Sequence, residues 1–291
     1  MNEFVLITPA KNEEKNIWRT IEAVVSQTVL PLEWVIVSDG STDRTDEIVN
    51  EYCKKYSFIK LIRNESPAEK DFSSKVHAFN KGQAALMAGA YSYIGNIDAD
   101  VTFEPEYFKK IVEAMEKKPT LGIAGGLIYE SYDGKVRPMR TSSNSVAGAV
   151  QLFRRECFEC IGGYIPIKIG GIDSAAEIFA RAKGWEVKTI SECKVLHHGR
   201  VLTGKKNRTY TLFQSGLGRY RLGYHPIFHL FTCCMRLLEA PVFIGSIMFL
   251  LGYISGVFRK AKRVLPVDVV SHLRQEQMNR IKSVISTVVG K

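Results

Sequence analysis

An α/β fold with a mostly parallel sheet, flanking helices and a helical C-terminal appendage is predicted by three features of this chain. Short apolar runs alternate with longer segments whose apolar residues recur at helical spacing. Acidic and glycine-bearing clusters follow those runs, at Asn12-Glu13, Asp39-Gly40-Ser41 and Asp98-Ala99-Asp100. Open α/β sheets bind ligands just there, beyond the carboxyl ends of their strands. The last third of the chain then changes in composition.

The elements follow in order. Residues 4–8 (FVLIT) form a buried strand closed by Pro9. Residues 12–27 carry Ile17, Ile21, Val24 and Val25 at helical spacing. Residues 34–38 (WVIVS) are a second strand, and 42–55 a helix capped by Thr42 or Asp43. A third strand covers 59–63, and the Ala-, Leu- and Met-rich residues 77–90 read as a helix. The strand at 93–97 runs straight into Asp98. Residues 105–117 begin with proline, as a helix tolerates at its first turn. Strands are then expected at 121–128, 146–153 and 188–196, with a helix at 174–183. There is no internal repeat and no low-complexity tract.

The 291 residues can bury a large core, and a net charge of +10 is unevenly spread. Residues 1–200 hold 26 Lys and Arg against 27 Asp and Glu, whereas residues 201–291 hold 14 against 3. A near-neutral body over 1–215 and a basic, hydrophobic region over 216–291 are the expected domains. Such a basic block suits an anionic lipid surface or nucleic acid. No nucleic-acid motif is present, so nucleic acid is not an expected partner. The lone Cys157-x-x-Cys160 pair has no second pair and reads as small buried or half-buried residues. No signal peptide is visible, which places the body, with reduced thiols, on the cytoplasmic side.

Residues 240–258 are 19 in a row without charge. As one helix they would reach about 28 Å. RKAKR follows at 259–263, then an amphipathic stretch at 272–289. Membrane contact is expected. Basic flanks on both sides leave a single span and a re-entrant or interfacial hairpin both open. Pro241, Gly245, Gly252 and Gly256 weigh against a straight span.

Asp98 and Asp100 carry the clearest chemistry. Two carboxylates one residue apart, on a turn leaving a strand, can share one hard cation with phosphate oxygens. Mg2+ and Mn2+ suit that donor set. A divalent ion also neutralises the charge that departs with a diphosphate.

The segments LITPAKNEEKNI, VIVSDGSTDRT, KVHAFNKGQAAL and NIDADVTFEPEYF resemble, in this order, the nucleotide-sugar-binding half of family-2 glycosyltransferases of the GT-A, Rossmann-like fold. The resemblance covers roughly residues 3–200. It implies a metal-dependent, hexosyltransferase-like enzyme that moves one sugar from a nucleotide-diphosphate sugar to an acceptor hydroxyl. Pro9, Ala10, Asn12 and Glu13 would hold the nucleoside. Asp39 would accept hydrogen bonds from base or ribose, with Ser41 and Asp43 in the same loop. Lys75 would reach a phosphate, and Asn80 and Gly82 would complete the donor contacts. Asp98 and Asp100 would hold the metal, joined by His198 or His197, with His198 slightly preferred.

The acceptor half departs from the family pattern. A Glu-Asp pair is usual there; here Asp173 follows Ile172, and Glu177 lies four residues on. Asp173 is the expected general base, with Glu177 in reserve, and a helix-capping role for Asp173 is compatible with both. Residues 148–155 and Gly162-Gly163-Tyr164 resemble the stretch beneath the donor sugar, with Arg140, Gln151 and Arg154 as candidate contacts. The Q-x-x-R-W signature of polymerising relatives is absent, so one sugar per event, or an unusual active-site lid, is expected. Inversion fits a single base and direct displacement. A lipid-linked or glycan acceptor, in glycolipid or surface-polysaccharide assembly at the cytoplasmic side of the cell membrane, completes the reading. Two alternatives stay open: a polyprenyl-phosphate sugar synthase, whose acceptor is a lipid phosphate, and a non-catalytic scaffold binding membrane or nucleic acid.

Overall fold

The computed structural model of this protein describes residues 3–64, 73–132, 135–139, 141–168, 170–198 and 208–289. Arg140, a candidate acceptor contact, lies outside the described residues. The chain divides into two compact units, Met1–Lys168 with Ile172–Gly199, and Ile169–Gly171 with Arg200–Lys291.

The first unit runs β1 (Phe4–Ala10), α1 (Ile17–Val25), β2 (Glu33–Asp39), α2 (Thr45–Lys55), β3 (Ile59–Asn64), α3 (Ser73–Ala84), β4 (Tyr93–Ile97) and β5 (Val101–Phe103). It continues with α4 (Tyr107–Lys117), β6 (Leu121–Tyr132), β7 (Lys135–Pro138), β8 (Val150–Arg154), α5 (Arg155–Cys160), α6 (Ile172–Ala182) and β9 (Glu186–His197). One sheet takes the strands in the order β3-β2-β1-β4-β8-β6-β9-β5, with β7 beside β6. β3, β2, β1 and β4 are parallel. β8 enters antiparallel to β4 and β6, β6 and β9 pair parallel again, and β5 joins β9 antiparallel, so the sheet is mixed beyond β4. Every residue of β2 is buried, and Trp34 in it donates its indole N–H to Thr8 Oγ1 at 2.9 Å.

Several boundaries differ from expectation, and at three of them a polar side chain claims backbone groups. Helix α3 ends at Ala84, where periodicity suggested 90. The carboxylate of Glu33 accepts the N–H groups of Met87 and Ala88, both at 2.8 Å, and holds that stretch as a loop. Helix α2 starts at Thr45, after Asp43 has taken the N–H groups of Thr45 and Glu14. Strand β8 begins at Val150, because the residues before it are bound by Glu177.

Gly82 is a packing residue. A Cβ there would fall 2.7 Å from Ile7 Cγ2 and 2.9 Å from Val37 Cγ2. Both neighbours are buried, β-branched and stiff. Gly82→Ala is therefore expected to destabilise the first unit by about 1–3 kcal/mol, despite alanine's better helix propensity. The urea midpoint followed by tryptophan fluorescence measures it, since Trp18, Trp34 and Trp185 all lie in that unit.

The second unit holds α7 (Arg208–Arg221), α8 (Pro226–Met235), α9 (Ile244–Phe258) and α10 (Val267–Val289). It includes α7 whole. Helices α7 and α9 touch backbone to backbone. A Cβ on Gly216 would lie 1.9 Å from the Phe249 carbonyl oxygen, and one on Gly252 1.9 Å from that of Phe213. The glycines that seemed to weaken a span are thus the seam between two helices. Helix α9 has 15 residues, about 22 Å. No helix among the described residues is long and apolar enough to cross a membrane.

Candidate active site

The carboxyl ends of β1, β2 and β4 and the start of α3 enclose a cleft of ≈ 230 Å³. Pro9, Ala10, Lys11, Glu13, Asp39, Ser74, Lys75, Ala78, Asp98, Ala99 and Asp100 line it. Parallel strands deliver these groups because β1↔β2 and β1↔β4 pairing aligns their ends side by side. Of the expected donor contacts, Pro9, Ala10, Glu13, Asp39, Lys75 and Asp98 meet here.

Asp39 is 5% exposed at one end of the cleft. Lys11 lies 3.6 Å from its Oδ2, and Asn64 donates its amide to Oδ1 at 2.8 Å. Lys81 in turn donates to Asn64 Oδ1 at 3.2 Å, which fixes which way the Asn64 amide points. Lys11, Ser74 and Asn64 were not anticipated from sequence. Asn12 and Ser41 stand behind the wall. Asn12 adopts a left-handed backbone at φ 57°, its N–H donates to Ser41 Oγ, and its Oδ1 accepts the Thr42 N–H at 2.8 Å. Together they lock the β1–α1 loop to the β2–α2 loop.

At the other end, Lys75 Nζ donates to Asp98 Oδ1 at 2.5 Å. Asp100 Oδ2 lies 3.2 Å from His197 Nε2. That hydrogen bond holds the His197 pKa above its usual value. Register explains the choice of histidine: His197 is paired with Val101 on β5 and with Glu130 on β6. His198 Nε2 pairs instead with the Thr102 hydroxyl at 2.8 Å, and its Nδ1 is 3.5 Å from Arg19. Burial, then the Arg19 charge, lowers its pKa. Of the two histidines, His197 is the one that meets Asp100, whereas His198, slightly preferred from sequence, faces Thr102 and Arg19. Among the described residues no group of three or more His, Cys, Asp and Glu could by itself hold a metal ion.

Two further expected donor contacts do not line this cleft. Asn80 is exposed on α3 and is not among the residues that line the cleft. Gly82 faces Ile7 and Val37 in the sheet.

Glu13 is pushed from 4.5 up to about 7, first by burial, then by Asp100, with smaller contributions from Asp98 and Asp43. Between those two values the folded chain keeps a proton that the unfolded chain has lost, so this group's contribution to stability falls as pH rises through that window. A divalent cation at Asp98 and Asp100 would offset their repulsion of Glu13, though not its burial, and so lower the Glu13 pKa. Manganese binding is thus expected to tighten from about pH 5 to 7 and to release up to about one proton from Glu13. Calorimetry in two buffers of different ionisation enthalpy reads the protons released, and Glu13→Gln lowers their number by the Glu13 share, leaving what His197 gives up.

The acceptor-side residues separate in role. Asp173 is the second residue of α6, half-buried against bare Gly148, where a Cβ would meet its Oδ2 at 3.1 Å. The Gly148 carbonyl accepts the Asn96 amide at 2.5 Å, and the Ala149 carbonyl accepts the Asp98 N–H at 2.9 Å. One short segment thereby joins Asp173 to the strand end that carries Asp98. Glu177, the reserve base, is 3% exposed and fully engaged. It accepts the Val146 N–H at 2.6 Å and the Ser145 hydroxyl at 3.1 Å, with Arg181 at 3.6 Å. Burial above all raises its pKa to about 7. It anchors the 145–149 segment and is too enclosed to meet an acceptor. Gln151 is likewise buried, accepting the Tyr164 hydroxyl at 2.7 Å, and Arg154 donates to the Met115 carbonyl at 2.6 Å. Neither is free to contact an acceptor.

The profile of glycosyl transferase family 2 matches residues 5–172. An uncharacterized protein of Methanocaldococcus jannaschii is 37% identical over 114 residues, 38% of this chain and 46% of that protein. The poly-beta-1,6-N-acetyl-D-glucosamine synthase of Staphylococcus epidermidis is 24% identical over 172 residues, 52% of this chain and 39% of that enzyme. The chain thus spans less than half the length of these relatives. The fold matches a Pyrobaculum calidifontis mannosyltransferase solved with GDP-Man and Mn2+, at TM-score 0.58 and 15% identity, over 98% of this chain and 81% of that one.

Proposed function

The chain belongs to glycosyl transferase family 2, and from that premise we propose that it moves one sugar, with inversion, from a nucleotide-diphosphate sugar to a hydroxyl of a glycan or lipid-linked acceptor. The observation that carries this reading is the charge balance of one cleft. Four carboxylates, Glu13, Asp39, Asp98 and Asp100, face two lysines, Lys11 and Lys75. A diphosphate cannot enter such a site unless positive charge comes with it. Lys75 on Asp98 marks where a cation is already favoured. Asp98 and Asp100, with His197 close by, are carboxylate and imidazole donors that would hold Mn2+ or Mg2+ only together with the oxygens of the donor's diphosphate. The ion, when bound, supplies neutralisation of the departing nucleotide diphosphate.

The chain's own residues then have distinct tasks. Asp39, steadied by Asn64 and Lys81, accepts hydrogen bonds from base or ribose. Lys75, released from Asp98, turns to a phosphate oxygen. Asp173 takes the proton of the attacking hydroxyl. A membrane at the cytoplasmic side is the proposed location, supported by the free cysteines among the described residues and the basic last third. Glycolipid or surface-polysaccharide assembly is the proposed setting, supported by the Staphylococcus epidermidis relative.

Melting of the full chain with a panel of nucleotide diphosphates, each with and without manganese, tests the donor reading. A cognate nucleotide at 100-fold its Kd adds about 2.7 kcal/mol of stability. A panel in which no nucleotide raises the melting temperature, with or without metal, refutes it. Proton NMR of the product's anomeric centre tests inversion.

A further inference from the structure

Helix α9 shows an unusual surface. Its exposed residues are Ile244, Ile247, Leu251, Val257 and Phe258, all apolar, and Phe258 is 83% exposed. The opposite edge, Gly245, Ser246, Phe249, Gly252, Tyr253 and Gly256, is buried in the unit, with Gly252 against α7. The helix cannot turn its apolar edge inward without breaking that seam. The preceding turn adds Leu237, Leu238, Val242 and Phe243, also exposed. A soluble surface rarely leaves so continuous an apolar stretch uncovered.

At the far end of α9 stand Arg259, Lys260, Lys262 and Arg263, all exposed. Residues 201–291 carry 14 Lys and Arg against 3 acids. This charge disfavours a second copy of the chain as the cover, because two like-charged surfaces would have to meet. It favours an anionic bilayer. At about 22 Å, α9 is too short to cross a hydrocarbon core of about 30 Å. The apolar edge runs its whole length, as in a helix that lies along the interface.

We propose that the C-terminal unit docks on an anionic lipid bilayer with α9 in the plane of the surface. Its Ile244–Ile247–Leu251–Phe258 edge enters the acyl boundary, and Arg259, Lys260, Lys262 and Arg263 rest on the headgroups. The inference deepens the membrane location proposed above and rests on it, but not on the sugar chemistry.

The test is co-sedimentation of the full chain with vesicles of phosphatidylcholine alone or mixed with phosphatidylglycerol. Binding to the mixed vesicles is expected. Changing the four cations to Gln is expected to weaken it roughly 10²- to 10³-fold, at about 1 kcal/mol per charge. Ile247→Asp with Leu251→Asp, both exposed and so tolerated by the fold, is expected to abolish it. Ile247→Trp and Phe258→Trp report depth through quenching by brominated lipids. Equal, shallow quenching at both supports the in-plane helix; deep quenching at 247 without 258 overturns it in favour of a tip-first hairpin. A concentration-dependent dimer that the double Asp variant dissolves, with no vesicle binding, gives the face to a second copy and also overturns it. Nucleotide binding separates the two readings. Absent vesicle binding with intact nucleotide binding sinks only the docking, and the reverse result sinks only the donor site.

Discussion

Asp173→Asn lowers kcat by about 10²- to 10⁴-fold and leaves donor affinity unchanged; this is the expected result if Asp173 is the general base. The substitution is nearly isosteric, so the contact with Gly148 and the start of α6 survive. Only the ability to take a proton is lost. The donor contacts stand on other loops, at Pro9–Glu13, Asp39 and Lys75. Nucleotide binding and KM for the donor should therefore hold while turnover collapses. Single-turnover rates at saturating donor, beside a nucleotide titration, make the measurement. Undiminished transfer would instead favour an acceptor that is already ionised, such as a lipid phosphate, because such a nucleophile needs no base.

Asp98→Asn produces the second large effect, a loss of manganese-supported donor binding. One of the two carboxylates that define the cation site becomes neutral, and Lys75 loses its ion pair. In the absence of metal the freed lysine still attracts phosphate, so weak, metal-independent nucleotide binding remains. With metal, kcat/KM falls roughly 10²- to 10³-fold, the scale of losing one preorganised electrostatic contact to a leaving group. Manganese titration followed by electron paramagnetic resonance reads the ion directly, independent of turnover. Asn80→Ala is the control, because Asn80 is exposed and off the cleft. Equal manganese affinity in Asp98→Asn and the unaltered chain would remove Asp98 from the metal site.

The four ordered motifs were legible because each is local. A short apolar run followed by a polar turn specifies a strand end, and parallel strands bring such ends together. Glu13, Asp39, Asp98 and Asp100 could be brought together on that basis, whereas Lys75, at the start of a helix, was placed by the resemblance to the family. The same reasoning reached the basic, apolar tail, since charge and hydropathy are additive along the chain.

Long-range pairing decided the rest. Whether His197 or His198 faces Asp100 depends on the register of β9 against β5 and β6, and a one-residue slip exchanges them. Glu177 looked like a reserve base until its helix was packed against the 145–149 segment, whose N–H and hydroxyl it accepts. Gly82 and Asn80 sit in one motif, yet the helix turns one into the sheet and the other into solvent. Gly252 reads as a helix breaker in sequence but is a point of contact once α7 lies beside it. The sequence by itself determined the strand ends, their acidic chemistry and the charge asymmetry, because these follow from neighbouring residues. Only the tertiary structure decided which side chain faces which partner, because that choice rests on contacts between residues far apart in the chain.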